Sequence, residues 1–161
     1  MAIAKNIKYG HWTSLCGEID SSQYFGFVYM VYCHETHRFY IGKKQFNSVS
    51  RKTVAGKKRK QVTVKESDWM KYQTSSQYVK EDIEKFGTDK FDFWILQAYK
   101  TKSGLSYAES NLMHKQDVMY RMLDSKYRLF YNANIAAVRF VTKEFYEEPN
   151  KLITKLIKQR G

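Results

Sequence analysis

Apolar positions fall into runs and stripes of two kinds. From 25 to 33, FGFVYMVYC is apolar, aromatic and β-branched throughout, which predicts a buried strand. The polar HETHR at 34–38 predicts a turn and RFYIGKKQF at 38–46 a second strand, so the two should pair as a hairpin. Ser75 and Ser76 can cap a helix that runs to Phe86, with Val79, Ile83 and Phe86 on one face and Gly87 as its stop. KFDFWILQAYK at 90–100 predicts a third strand. A longer helix is expected from Ser106 to about Asp124, with Leu105, Ala108, Leu112, Met119 and Leu123 on its apolar stripe. FYNANIAAV at 130–138 reads as a short extended segment. Asn150 to Arg160 reads as a basic helix with Leu152, Ile153, Leu156 and Ile157 facing inward. This order predicts a small α/β sandwich with a mainly antiparallel three-stranded sheet flanked by helices.

Length and composition narrow the class. The chain has 161 residues, one proline, and no repeat, low-complexity tract or linker, so one domain over 1–161 is expected. A hydrophobic fraction of 43% with 16% aromatics argues for a packed core despite a net charge of +12. No apolar run approaches the roughly 18 residues of a membrane span. The N-terminal MAIAKNIKYGHWTS lacks the apolar stretch of a signal peptide. Two cysteines, Cys16 and Cys33, are too few for a disulfide framework, and a reducing cytoplasmic setting is the default expectation. The charge is concentrated. Lys43, Lys44, Arg51, Lys52, Lys57, Lys58, Arg59, Lys60 and Lys65 follow one another without an acid between 43 and 65. That stretch is too polar for core and reads as a basic hairpin or a mobile loop. A basic, tyrosine-rich domain suits a polyanionic partner, of which nucleic acid is the commonest.

The candidate chemistry sits in FVYMVYCHETHRFYIG. Phe27-Val28-Tyr29 and Tyr40-Ile41-Gly42 fall on the two strands of the hairpin, where both phenols can converge on one face. These tripeptides resemble the pair that gives the GIY-YIG nuclease family its name. The second matches as written, whereas Phe27 stands where the family has glycine and Gly26 lies one residue earlier. Further features follow in the family's order. Tyr72-x-x-Ser75-Ser76 leads into the helix ending at Phe86-Gly87, then come the aromatic strand, a helix carrying Glu109, and Tyr131-Asn132. The resemblance covers about 25–135.

The resemblance implies a GIY-YIG-like fold and a Mg²⁺-dependent endonuclease acting on double-stranded DNA, with Mn²⁺ as a possible substitute. It points to a phage homing endonuclease working in the infected cell. It implies that Glu109 holds the metal, that Tyr29 or Tyr40 is the general base, and that Asn132, with Asn134 as fallback, positions the site. It also implies an arginine phosphate clamp, for which Arg51 fits by spacing and Arg59 stays open. Lys43 and Lys44 would lower the tyrosine pKa values. Ser75 and Ser76 at a helix start, Lys43 and Lys44, and Lys57, Lys58, Arg59 and Lys60 of the basic insert are the expected DNA contacts.

Plainer readings stand beside these. Strand tyrosines are usually packing residues, and Ser106-x-x-Glu109 is a capping-box pattern competing for the same carboxylate. Cys33, His34 and His37 are too few ligands for zinc. The rival function is a catalytically inactive nucleic-acid-binding protein with the same fold.

Overall fold

The structure is a computed structural model that describes residues 6–161. Its centre is the predicted hairpin. Strand β3 (Gly26–Cys33) pairs antiparallel with β4 (Phe39–Gln45), with Tyr29 opposite Gly42 and Val31 opposite Tyr40. His37, at φ 59°, closes the turn between them. The third expected strand, β7 (Phe91–Tyr99), pairs antiparallel with the other side of β3.

The sheet is larger than the three strands expected. Two short N-terminal strands, β1 (Ile7–Tyr9) and β2 (Trp12–Ser14), extend it beyond β7 in the order β1-β2-β7-β3-β4. β2 runs parallel to β7, and the other pairings are antiparallel. Three-residue strands carry too little periodicity to stand out in a sequence. The basic insert is a separate two-stranded ribbon, β5 (Asn47–Lys52) paired with β6 (Gln61–Glu66).

Alternation along the buried strands divides the core. Val28, Met30 and Tyr32 face one side with Trp94 and Leu96. There they meet α2 (Lys102–Lys115) and α3 (Glu148–Arg160) through Leu105, Leu112, Ile153 and Leu156. Phe27, Tyr29 and Val31 face the other side with Phe93 and Ile95, where they meet Val79 and Ile83 of α1 (Gln77–Phe86). Ser76 caps α1 by accepting from the Val79 amide, as the sequence predicts. The result is three layers with a double-faced sheet in the middle.

Two expectations are corrected. The second helix spans Lys102–Lys115 rather than Ser106 to about Asp124. Thr101 is its N-cap, its Oγ1 accepting from the Gly104 amide at 3.0 Å, and Glu144 accepts from the Lys100 and Thr101 amides at 2.8 and 3.0 Å. Ser106 is therefore interior to the helix, and the capping-box reading of Glu109 falls. At the other end Asp117 adopts φ 50°, which breaks the helix before Met119 and Leu123; both are exposed. The 130–138 segment forms no strand beyond a single parallel bridge between Phe130 and Phe39.

Candidate active site

Strand β4 is the sheet edge, and its outer side is only partly covered. The Phe39 amide donates to the Leu129 carbonyl at 2.9 Å and the Tyr131 amide to the Phe39 carbonyl at 2.7 Å. One step on, a side chain takes over from the backbone. Asn132 Oδ1 accepts from the Ile41 amide at 3.0 Å and its Nδ2 donates to the Ile41 carbonyl at 2.8 Å. Asn132 is buried and holds the middle residue of the Tyr40-Ile41-Gly42 tripeptide in the manner of a neighbouring strand. Both ends of its amide are occupied in this way. Asn134 is exposed at the rim.

Where this covering ends, a cleft of about 340 Å³ opens. Tyr40, Ser75, Ser76, Glu109, Tyr131, Asn132 and Asn134 are among its lining residues. Tyr40 comes from the face of β4 that looks toward α1, and its phenol lies 3.0 Å from the Ser75 hydroxyl. Glu109 comes from α2 on the opposite face of the sheet. The two meet because β4 is the edge strand. The structure thus brings together Tyr40, Glu109, Asn132, Ser75 and Ser76 of the expected set.

Tyr29 is placed differently. It is completely buried and lies behind Tyr40, with ring centroids 6.1 Å apart. Its phenol oxygen is 3.3 Å from that of Tyr72, a residue not assigned a site role from sequence. The only sequence signal for Tyr72 was its place in Tyr72-x-x-Ser75-Ser76, since a loop tyrosine has no periodicity. Lys44 stacks its ammonium 4.3 Å from the Tyr72 ring centroid and pairs with Asp68 at 2.7 Å. Lys44 thereby holds the Asp68 carboxyl below its usual range.

Phe27, the departure from the family tripeptide, fills an aromatic cluster. Its ring lies 5.1 Å from Phe46, 5.3 Å from Trp12 and 5.9 Å from Trp69. The close approach expected of a glycine falls to Gly26, where a β-carbon would run into the Lys44 carbonyl and Leu105.

The electrostatics differ from expectation in one respect. Burial raises the pKa of Tyr29 well above that of a free phenol, and its phenol neighbours Tyr72 and Tyr40 add to the rise. Burial also raises Tyr40; the Ser75 hydrogen bond opposes this and Glu109 adds to it. Lys43 and Lys44 do not lower either one. Successive β4 side chains alternate faces, so Lys43 turns to α2 and pairs with Glu109 at 3.0 Å, while Lys44 is spent on Asp68.

Neither expected arginine lines the cleft. Arg51 is exposed on β5 and Arg59 is exposed in the loop joining β5 to β6. His34 is paired with Asp92 at 3.1 Å and His37 with the Tyr32 phenol at 2.9 Å. Among the described residues there is no group of three or more His, Cys, Asp or Glu side chains suited to a metal. The cleft does offer hard oxygen donors of the kind Mg²⁺ accepts. Its one carboxylate suits an ion that keeps most of its waters, provided Lys43 yields its place on Glu109.

A hairpin with paired tyrosines, a carboxylate at the same sheet edge and a basic ribbon growing from that strand is suited to work on nucleic acid. A family model described as "Putative endonuclease segE, GIY-YIG domain" matches residues 12–135. The chain belongs to the GIY-YIG nuclease family, and its substrate is a nucleic acid. No curated protein and no solved structure matches it. Among the described residues no helix is long and apolar enough to cross a membrane.

Proposed function

We propose that this protein is a Mg²⁺-dependent endonuclease that hydrolyses phosphodiester bonds in double-stranded DNA, with Mn²⁺ able to substitute, and that it serves as a phage homing endonuclease in the infected cell. The observation that carries the catalytic reading is the meeting of Tyr40 and Glu109 at one cleft from opposite faces of the sheet.

Glu109 is the residue that would hold Mg²⁺, which when bound supplies charge stabilisation for the phosphoryl oxygens and the departing oxygen. Tyr40, whose Oη reaches the cleft, would take the proton from the attacking water as its phenolate, a form that a cation held at Glu109 would favour against the burial that raises its pKa. Ser75 orients that phenol from 3.0 Å. Tyr29 acts through packing behind Tyr40 and through Tyr72. Asn132 acts by fixing the Ile41 backbone, and with it the strand that carries Tyr40. Lys43 is the cation nearest the carboxylate, and Ser75 and Ser76 offer hydroxyls beside the start of α1. Lys57, Lys58, Arg59 and Lys60 join them as backbone contacts. Arg51 and Arg59 become phosphate clamps only if the ribbon and DNA come together over the cleft.

The lack of an arginine in the cleft favours a second reading, a nucleic-acid binder that keeps the fold without the chemistry. Incubation of purified protein with supercoiled plasmid, with Mg²⁺ and with chelator, decides between them. Metal-dependent nicking or linearisation supports the nuclease. Retained binding without cutting supports the binder.

A further inference from the structure

The β5–β6 ribbon is exposed on both faces and contributes nothing to either core. A two-stranded hairpin alone is marginally stable in water, yet this one keeps six residue pairs in register. The register sorts its side chains. Val49 faces Val64 and Arg51 faces Val62 on one side. On the other, Ser48 faces Lys65, Ser50 faces Thr63 and Lys52 faces Gln61. The two sides also point differently. Val49 and Val64 line a recess of about 300 Å³ against Tyr24 and Phe25 of the body, which leaves the hydroxyl, amide and ammonium side turned away.

That outer side combines two chemistries. Ser50, Thr63 and Gln61 are short donors and acceptors that, among the described residues, make no side-chain hydrogen bond; Ser48 makes a long one of 3.5 Å to the Lys65 carbonyl. Lys52 and Lys65 place one cation near each end of the row. The joining loop adds Lys57, Lys58, Arg59 and Lys60, with no acid anywhere from 43 to 65. Such a ribbon is complementary in charge to DNA. Six residues per strand span about 20 Å, and a two-stranded ribbon fits the roughly 12 Å major groove, where each base pair shows a distinct donor and acceptor pattern.

We infer that the ribbon is the sequence-reading element of this protein. It enters the DNA major groove with Ser50, Thr63 and Gln61 against base edges while Lys52 and Lys65 meet the flanking phosphates. The inference rests on DNA being the substrate and goes beyond backbone contacts, which carry no sequence information. It has a structural corollary. The ribbon is inserted between β4, which carries Tyr40, and the segment carrying Tyr72 and Ser75. Its root is fixed by the Phe46 and Trp69 rings, 5.0 Å apart, and by the Ser67 amide donating to the Phe46 carbonyl at 2.8 Å. Reading a groove therefore bears on the wall of the cleft that carries Tyr40 and Ser75.

The test is selection by binding, without divalent metal. The full chain is mixed with duplexes carrying a randomised segment, and the bound fraction is sequenced after several rounds. The wild type should enrich a preferred block no longer than about six base pairs, the reach of a 20 Å ribbon at roughly 3.4 Å per pair. Combined Ser50→Ala, Thr63→Val and Gln61→Ala should flatten that block by about tenfold or more at the affected positions. Affinity for unselected DNA and its salt dependence should stay within about twofold, since no charge is removed. Val49→Thr with Val64→Thr, on the inner side, should leave the preference unchanged. A wild type with no preference, or a triple variant with the same preference, overturns the inference. Single Thr63→Ala and Gln61→Ala variants serve if the triple variant melts early, and an unchanged preference in both would also overturn it. Selective binding by a protein that never cuts DNA would instead remove the nuclease reading and leave this inference standing.

Discussion

The Tyr29 ring lies directly across the Cα of Gly42, so closely that a β-carbon at 42 would sit 2.5 Å from its Cζ and phenol oxygen. The two residues are cross-strand partners in the hairpin. The glycine of the second tripeptide is thus required by the tyrosine of the first. Gly42→Ala should force the buried ring to move, at about 1–3 kcal/mol. Thermal unfolding should show the midpoint falling by roughly 2–4 °C per kcal/mol for a chain of this size. A midpoint equal to that of wild type would mean that the packing around Tyr29 is looser than described.

The three phenols should separate by function. Tyr40→Phe should lower the cleavage rate by about 100-fold or more, the scale of general acid–base help. Tyr29→Phe and Tyr72→Phe should fold and lose less, because neither is assigned to touch substrate. Equal losses in all three would remove the special role of Tyr40.

Raised tyrosine pKa values have a stability consequence with a definite sign. Tyr29 and Tyr40 ionise at higher pH when folded than when unfolded. Their contribution is therefore complete below the unfolded value of about 10 and is lost as pH rises through the folded values. Denaturation followed from pH 8 upward should show stability falling beyond about pH 10. Tyr29→Phe should make that fall shallower. An identical alkaline profile in wild type and Tyr29→Phe would contradict the burial assigned to this phenol.

Asn132 joins two backbone groups with one side chain. Asn132→Leu should leave the Ile41 amide and carbonyl without partners, at about 1–3 kcal/mol for each group left buried. Chemical denaturation measures the loss, and cleavage per folded molecule should fall as the strand carrying Tyr40 loosens. A variant as stable as wild type but inactive would point instead to direct contact between Asn132 and substrate.

Much of this architecture is legible in the sequence, and the failures have specific causes. Strands β3, β4 and β7 announce themselves because buried β-branched and aromatic runs have few other uses, and α1 because Ser76 and Gly87 bound it. Strands β1 and β2 are too short for periodicity, and β2 is fixed by parallel pairing with a strand far along the chain. Helix α2 is misjudged at both ends. Ser106-x-x-Glu109 imitates a cap that Thr101 provides, and the apolar spacing of Met119 and Leu123 continues past a break at Asp117. At the site, Tyr40, Glu109 and Asn132 follow from motif and order. The Lys43–Glu109 pair and the contact between Tyr29 and Tyr72 depend on which face each residue takes, which no spacing encodes.

Loss of the capping role sharpens the case of Glu109. Its carboxylate serves no helix end, and although it is mostly buried its partner Lys43 is exposed enough to turn to solvent when the carboxylate is removed, so the loss of stability should be modest. The most direct measurement is cleavage of supercoiled plasmid in Mg²⁺ by wild type and by Glu109→Ala, with melting temperature and DNA affinity taken on the same samples. Wild type should nick or linearise the plasmid and stop when chelator is added. Glu109→Ala should melt within a few degrees of wild type, bind DNA with comparable affinity and not cut. Undiminished cutting by folded Glu109→Ala would contradict the account at its centre.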